Sequence, residues 1–132
     1  MVKILIVEDT EFFQKLYSAE LKKAGFEAIV ASDGEEGVAM ALKHKPSLIF
    51  MDIVMPKMDG MKALAKIKAN DSIKKTPVVM LTSLAADAKG EDSLMKGASA
   101  YLVKNSVSSK AVVEKAQEIL GTSNAPLDPH KA

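Results

Sequence analysis

Cysteine is absent from this 132-residue chain, and so are tryptophan and arginine. Without cysteine there is no disulfide framework, no zinc–thiolate site and no thiol nucleophile, which accords with a reducing compartment. Without arginine, all 18 cationic side chains are lysines. The planar fork that grips a phosphate or a guanine edge with paired hydrogen bonds is therefore missing. An excess of one charge is missing too: 17 acids face those 18 lysines, for a formal net charge of +1. That balance argues against a chain built to hold nucleic-acid phosphates and predicts no direct DNA binding. There is no long hydrophobic run near the amino terminus; residues 4–7 are apolar, but two acids follow at once. Such a segment is too short for a signal peptide or a membrane span. The expectation is a cytoplasmic protein that does not engage membranes. Its length fits one domain, able to bury roughly two thirds of its surface.

What is present is a repeated pattern. Residues 4–7 (Ile-Leu-Ile-Val), 48–51 (Leu-Ile-Phe-Met), 78–81 (Val-Val-Met-Leu) and 101–103 (Tyr-Leu-Val) are almost purely apolar. They lack the alternation of a half-exposed strand and suit a parallel sheet covered on both faces. A fifth run, residues 26–31, is more mixed and suits an edge strand. Helical spacing fills the intervals. The first helix is expected over residues 10–24, with Phe13, Leu16, Tyr17, Glu20 and Leu21 marking its turns and Gly25 stopping it. The second opens with a capping-box spacing at Ser32 and Glu35 and carries Val38, Ala39, Ala41 and Leu42 inward. The third follows Gly60, the fourth covers roughly residues 86–96, and the fifth follows Ser108 and Ser109, carries Val112, Val113, Ala116, Ile119 and Leu120 at helical spacing, and is ended by Gly121. Five successive βα units predict a doubly wound α/β fold with right-handed crossovers. Residues 122–132 are polar and contain proline, and are expected to form a flexible tail after a domain spanning residues 1–121.

The polar residues fall at the carboxyl ends of the expected strands: Glu8 and Asp9 after the first, Asp52 after the third, Thr82 and Ser83 after the fourth, and Lys104 after the fifth. In open α/β sheets the ligand crevice lies at this edge, at the point where strand order reverses; in the flavodoxin-like order 2-1-3-4-5 that point lies between strands 1 and 3. Three carboxylates and one ammonium would share the crevice. An excess of negative charge there is unfavourable unless carboxylates take up protons or a divalent cation sits among them. Oxygen ligands without cysteine or histidine select a hard ion, Mg²⁺ or Mn²⁺. Phosphoryl transfer needs a nucleophile, a metal, a cation and hydrogen-bond donors. Asp52 can attack as a carboxylate, Lys104 can pair with it, and Thr82 can donate from its hydroxyl. Taken singly, each residue also has an ordinary reading: Asp9 as a helix N-cap, Thr82 as a turn hydroxyl, Lys104 as a solvated cation, Tyr101 as core. Glu8, at the end of a buried strand, is expected to have no capping role.

Four motifs stand in order: Ile4-Leu5-Ile6-Val7-Glu8-Asp9, Met51-Asp52-Ile53-Val54-Met55-Pro56-Lys57-Met58-Asp59-Gly60, Val78-Val79-Met80-Leu81-Thr82-Ser83, and Gly97-Ala98-Ser99-Ala100-Tyr101-Leu102-Val103-Lys104. In these motifs the chain resembles the receiver domain of two-component response regulators, of the CheY-like single-domain kind, over residues 3–121. The resemblance implies that Asp52 is the phosphoacceptor and that Glu8, Asp9, Asp52 and the backbone carbonyl of Val54 hold Mg²⁺. It implies that Thr82 is the switch hydroxyl, Tyr101 the switch aromatic and Lys104 the phosphate-binding lysine. The partners implied are a histidine kinase or histidine phosphotransfer protein and a downstream protein target, with a monomer or a phosphorylation-dependent dimer. Signalling would pass through the face formed by the fourth helix, fifth strand and fifth helix. Such a chain catalyses its own phosphoryl transfer and slow dephosphorylation but is no conventional enzyme.

Some positions depart from the family pattern. Asn105 follows Lys104 where proline is usual; a cis bond before a residue other than proline costs about 2.5–4 kcal/mol, so a trans bond is expected, with Lys104 still reaching Asp52. Val54 and Leu84, two residues beyond Asp52 and Thr82, are apolar and cannot orient a hydrolytic water, which predicts slow self-dephosphorylation. Phe12 and Phe13 are adjacent, so one helix face cannot bury both; Phe13 is expected in the core stripe and Phe12 near the crevice mouth as a docking anchor. Competing functions are weaker. A haloacid-dehalogenase-type hydrolase would carry a second acid at position 54, where valine stands. A flavin or nucleotide binder would carry a glycine-rich loop after the first strand. The alternative kept open is a degenerate receiver that acts as an interaction module independently of phosphorylation.

Overall fold

The computed structural model of the chain describes residues 2–83, 92–94, 96–104 and 109–121. Its strands are β1 (Lys3–Val7), β2 (Glu27–Ala31), β3 (Leu48–Asp52), β4 (Val78–Thr82) and β5 (Ala100–Val103). They form one parallel sheet in the order β2-β1-β3-β4-β5, the flavodoxin-like order expected. The helices α1 (Glu11–Lys23), α2 (Gly34–His44) and α3 (Gly60–Ala69) alternate with the strands, and the C-terminal helix covers Ser109–Leu120. Most of the expected fourth helix lies outside the described residues, as do the expected tail 122–132, Leu84 and Asn105; residues 92–94 are helical.

The continuous apolar strands have a direct explanation. Successive side chains of a strand point to opposite faces, and here both faces are covered. Leu5, Val7, Ile49, Met51, Val78 and Met80 face one side and pack with Ala41, Leu64 and Ile67 of α2 and α3. Ile4, Ile6, Leu48, Phe50, Val79 and Leu81 face the other and pack with Tyr17 and Leu21 of α1 and Val112 and Ala116 of the C-terminal helix. Every residue of β3 and β4 is buried. The mixed strand β2 lies at one edge, as its composition predicts. The apolar β5 lies at the other edge and is half-buried throughout, so it is not covered like β3 and β4.

Three local expectations are corrected. Helix α2 is capped one residue later than expected: Asp33 is the N-cap and accepts from Glu36 N–H, while Glu36 Oε1 accepts from Ser32 N–H. Its inward face is Gly34, Gly37, Val38 and Ala41, whereas Ala39 and Leu42 are exposed. The reason is close packing: a Cβ at Gly37 would stand 2.8 Å from a Val7 methyl and one at Gly34 2.1 Å from Met58 O, so these glycines let α2 approach the sheet and the β3–α3 connection and set its rotation. At α1 the N-cap residue is Thr10, not Asp9, and its side chain makes no capping bond. Glu8 takes a capping part instead, its Oε2 accepting the Thr10 N–H at 2.9 Å. Gly25, at φ 94°, ends α1 in the left-handed region that glycine tolerates. Among the described residues no helix is long and apolar enough to cross a membrane.

Candidate functional site

Parallel strands all end on the same edge, and that geometry gathers the polar residues. Asp52 closes β3 beside Leu81, and Thr82 closes β4 beside Val103. Glu8 and Asp9 follow β1, and Glu8 N–H donates to Ala31 O at 3.0 Å, so the strand pairing extends one residue into the site. Lys104 follows β5, with its N–H donating to Thr82 O. Gly60, at the start of α3, lies against the end of β3: its N–H donates to Ile53 O at 2.7 Å, and a Cβ there would stand 2.1 Å from Asp52 O.

Carboxylate oxygens of Glu8, Asp9 and Asp52 all lie within 4.8 Å of one another. Glu8 is 0% exposed and Asp52 6%, whereas Asp9 is open to solvent. The Lys104 ammonium donates to Glu8 Oε1 at 2.6 Å and to Asp52 Oδ2 at 3.2 Å. Lys104 thus reaches Asp52 as expected, and it binds Glu8 as well. Val54 N–H also donates to the Asp52 carboxylate. Thr82 is buried beside the site, and Tyr101 is half-buried against the α2/α3 side of the core. Val54, 65% exposed, stands at the rim, as does Phe12, 66% exposed.

The electrostatics follow from burying several like charges around one cation. Burial raises the Glu8 carboxyl above its ordinary range; the Lys104 bond and the Thr10 N–H oppose this, and the Asp52 charge adds to it. Burial likewise raises Asp52, against the charge and hydrogen bond of Lys104 and the Val54 N–H, with the Asp9 charge pushing further up. For Lys104, burial acts downward, but the Glu8 bond and the charges of Asp52 and Glu8 outweigh it and hold the ammonium protonated above its ordinary range. The Tyr17 phenol is pushed up to about 12 by burial and by the charges of Glu8 and Asp52.

The donor set is oxygen only, with carboxylates from Glu8, Asp9 and Asp52 and neither nitrogen nor sulfur ligands, which suits a hard divalent cation. Both Glu8 oxygens are already engaged, one by Lys104 and the other by Thr10 N–H. The Asp52 carboxylate also accepts twice, from Lys104 and from Val54 N–H, so the exposed Asp9 presents the oxygens that are freest to ligate.

Two neighbours escaped sequence reasoning. Phe13, expected in the core stripe, is half-buried and carries the Lys104 ammonium 4.1 Å from its ring centroid. Gln14 Nε2 donates to Glu8 O at 2.6 Å and, at 3.4 Å, to Ser32 Oγ, tying β1 to the start of the β2–α2 connection. Helical spacing shows that Phe13 faces the sheet; it does not show that Phe13 lies at the end of the sheet where Lys104 arrives from β5, three positions from β1.

The comparisons agree with this geometry. The model of the response regulator receiver domain family matches residues 4–117. Protein PilG of Pseudomonas aeruginosa is 37% identical over 106 residues, covering 78% of this chain and 76% of PilG. The chemotaxis protein CheY of Listeria monocytogenes is 36% identical over 105 residues, covering 79% of this chain and 87% of that protein. Among solved structures, the receiver domain of the sensor histidine kinase PA1611 of Pseudomonas aeruginosa, with a magnesium ion coordinated in its active-site cleft, superposes with a TM-score of 0.83 at 28% identity, covering 92% of this chain and 98% of that one. A parallel sheet in flavodoxin-like order, an acidic cluster at its switch point and a lysine reaching into that cluster all accord with these matches, and the chain belongs to the response regulator receiver domain family.

Proposed function

We propose that this receiver is a phosphorylation-dependent switch that accepts a phosphoryl group on Asp52 from a phosphohistidine of a kinase or phosphotransfer protein. The observation that carries the reading is the Lys104 ammonium, held 3.2 Å from Asp52 Oδ2 inside a group of three carboxylates. An Asp52 oxygen attacks the phosphorus, the P–N bond breaks, and the imidazole leaves. Lys104 and the Thr82 hydroxyl bind the equatorial oxygens, so negative charge meets fixed donors. Mg²⁺ would be held by Asp9, Asp52 and the Val54 carbonyl, with the fully buried Glu8 acting through water. When bound, it supplies charge neutralisation for the incoming phosphoryl oxygens.

Phosphorylation adds negative charge beside Thr82 and biases a two-state element. In this reading Thr82 moves towards the phosphoryl group and Tyr101 turns further inward. The face formed by the segment between β4 and β5, β5 itself and the C-terminal helix then selects a downstream protein. The half-burial of β5 and Tyr101 supports this, since an edge strand repacks at lower cost than a central one. The reading assigns residues 1–121 to the receiver and places the protein in the cytoplasm, where histidine kinases present their phosphohistidine.

The test is incubation with Mg²⁺ and acetyl phosphate, read by intact mass, with Asp52→Asn alongside. The expected result is a gain of one phosphoryl group that requires Mg²⁺ and is lost in the variant. A folded protein that gains nothing would instead be a phosphorylation-independent interaction module.

A further inference from the structure

We propose that Phe13 is a positioning residue for Lys104: the face of its ring holds the ammonium between Glu8 and Asp52, fixing where the lysine meets a phosphoryl group on Asp52. The proposal rests on the reading of Asp52 as the phosphoacceptor and adds a residue to that site. Lys104 enters from the end of β5, and its side chain is only 6% exposed. Its ammonium has Glu8 Oε1 at 2.6 Å, Asp52 Oδ2 at 3.2 Å and the Phe13 ring centroid at 4.1 Å. The two carboxylates attract the cation but do not fix its position between them, because each can be approached along several directions. A ring face supplies a third, weaker attraction from another side. Attraction between a cation and a ring quadrupole grows as the cation is desolvated, and the Lys104 side chain is almost wholly buried.

The ring is itself held in place. Tyr17, 3% exposed, stacks on Phe13 with centroids 5.6 Å apart and planes inclined by 24°. Phe12 meets Phe13 edge-on, with centroids 5.2 Å apart at 78°. Both contacts have the geometry that aromatic pairs favour. The order Tyr17, Phe13, Lys104 is therefore a stack anchored in the core and ending on the site's cation. An aliphatic residue at position 13 fills similar space and offers no quadrupole. Lys104 is then free to settle on Glu8, the nearer carboxylate, and to meet the phosphoryl oxygens of Asp52 less often.

The experiment compares Phe13→Leu, which removes the ring, with Phe13→Tyr, which keeps it. Leu16→Ala serves as a packing control, since Leu16 packs on the same core layer without being part of the site. The first readout is the Mg²⁺-dependent rate of phosphorylation by acetyl phosphate, followed by intact mass. The second is the proton shift of the Lys104 ε-methylene, which needs no phosphorylation: a ring face at this distance moves it upfield. The expected result is a roughly tenfold slower rate in Phe13→Leu, with loss of the upfield shift, and a rate within about twofold of the parent in Phe13→Tyr, with the shift retained. Leu16→Ala should lower thermal stability and leave rate and shift alone. If Phe13→Leu does not fold, Phe13→Met makes the same comparison. A folded Phe13→Leu that phosphorylates at the parent rate, a Phe13→Tyr as slow as Phe13→Leu, or a parent without the upfield shift overturns the positioning role. A parent that gains no phosphoryl group overturns the underlying reading of Asp52 and, with it, this role for Phe13.

Discussion

Lys104 stands nearer to Glu8 than to Asp52: its ammonium is 2.6 Å from Glu8 Oε1 and 3.2 Å from Asp52 Oδ2. The fully buried Glu8 thus has the closer claim on the site's cation, and Asp52, at the end of β3, shares it. Among the described residues, one ammonium serves a group of three carboxylates, and that shortage of positive charge sets how the site responds to substitution, pH and metal.

Removing the ammonium leaves Glu8 and Asp52 buried without a counter-charge. Lys104→Met is expected to lower stability by about 3 kcal/mol at pH 7, the scale of breaking a buried ion pair. The loss should shrink at pH 5, where the carboxyls can take up protons. Urea unfolding in the presence of a chelator, at both pH values, measures this; an equal loss at the two would contradict it.

Removing one acid has the opposite sign. Glu8 and Asp52 both have folded-state pKa values raised, chiefly by burial. For a raised carboxyl the native state holds the proton more tightly than the unfolded chain does. Its contribution is fully present below the unfolded pKa and is lost as pH rises through the folded value. Without divalent ions, these two groups therefore make the protein less stable as pH climbs from about 4 towards neutrality. Asp52→Asn should raise stability at pH 7 by on the order of 1 kcal/mol, while leaving the Glu8–Lys104 pair in place, and should flatten that part of the pH profile. Chemical denaturation of parent and variant across pH 4–8 is the measurement, and parallel profiles would count against the assignment.

A divalent cation supplies what the site lacks. Mg²⁺ at about a hundred times its Kd should stabilise the parent by about 2.7 kcal/mol, reversibly on chelation. The gain should be largely lost in Asp9→Asn, which removes the exposed and least engaged carboxylate. Thermal melts with and without Mg²⁺ read both effects. A full gain in Asp9→Asn would place the ion elsewhere.

Gly60 and Gly121 separate steric exclusion from backbone strain. A Cβ at Gly60 would meet backbone, with Asp52 O at 2.1 Å and Ile53 Cα at 2.9 Å. Gly60→Ala must therefore move α3 or the end of β3, at an expected cost of about 3 kcal/mol. At Gly121, with φ +69°, no described residue lies within 4 Å of the built Cβ, so Gly121→Ala should cost only about 1 kcal/mol of backbone strain. Unfolding midpoints of the two variants test the ordering, and the phosphorylation rate should fall in Gly60→Ala alone.

Val54, 65% exposed at the site's rim, offers an attacking water no hydrogen bond from its side chain. Val54→Asn combined with Leu84→Glu should speed loss of the phosphoryl group several-fold, read by intact mass over time. An unchanged decay would show that hydrolysis is limited elsewhere.

Much of this was legible in the chain itself. Apolar runs without alternation predict buried parallel strands because both strand faces must be covered, and β1, β3 and β4 are such strands. Polar residues at the carboxyl ends of those runs, in particular Glu8, Asp9, Asp52, Thr82 and Lys104, mark the site because parallel strands end on one edge. The motif spacing carries the family. These properties depend on local order along the chain, and a linear sequence retains that order.

Tertiary packing decided the remainder. The rotation of α2, with Gly34 and Gly37 inward and Leu42 out, depends on how closely a helix can approach Val7. The second role of Glu8, accepting the Thr10 N–H, depends on where α1 begins relative to β1. The contact between Phe13 and Lys104 joins residues 91 positions apart, since α1 begins at the carboxyl end of β1 and β5 delivers its lysine to that same end of the sheet. No periodicity encodes that meeting. It arises because the sheet order puts distant segments side by side, and the distances between their side chains then determine which carboxylate holds the cation and which ring covers it.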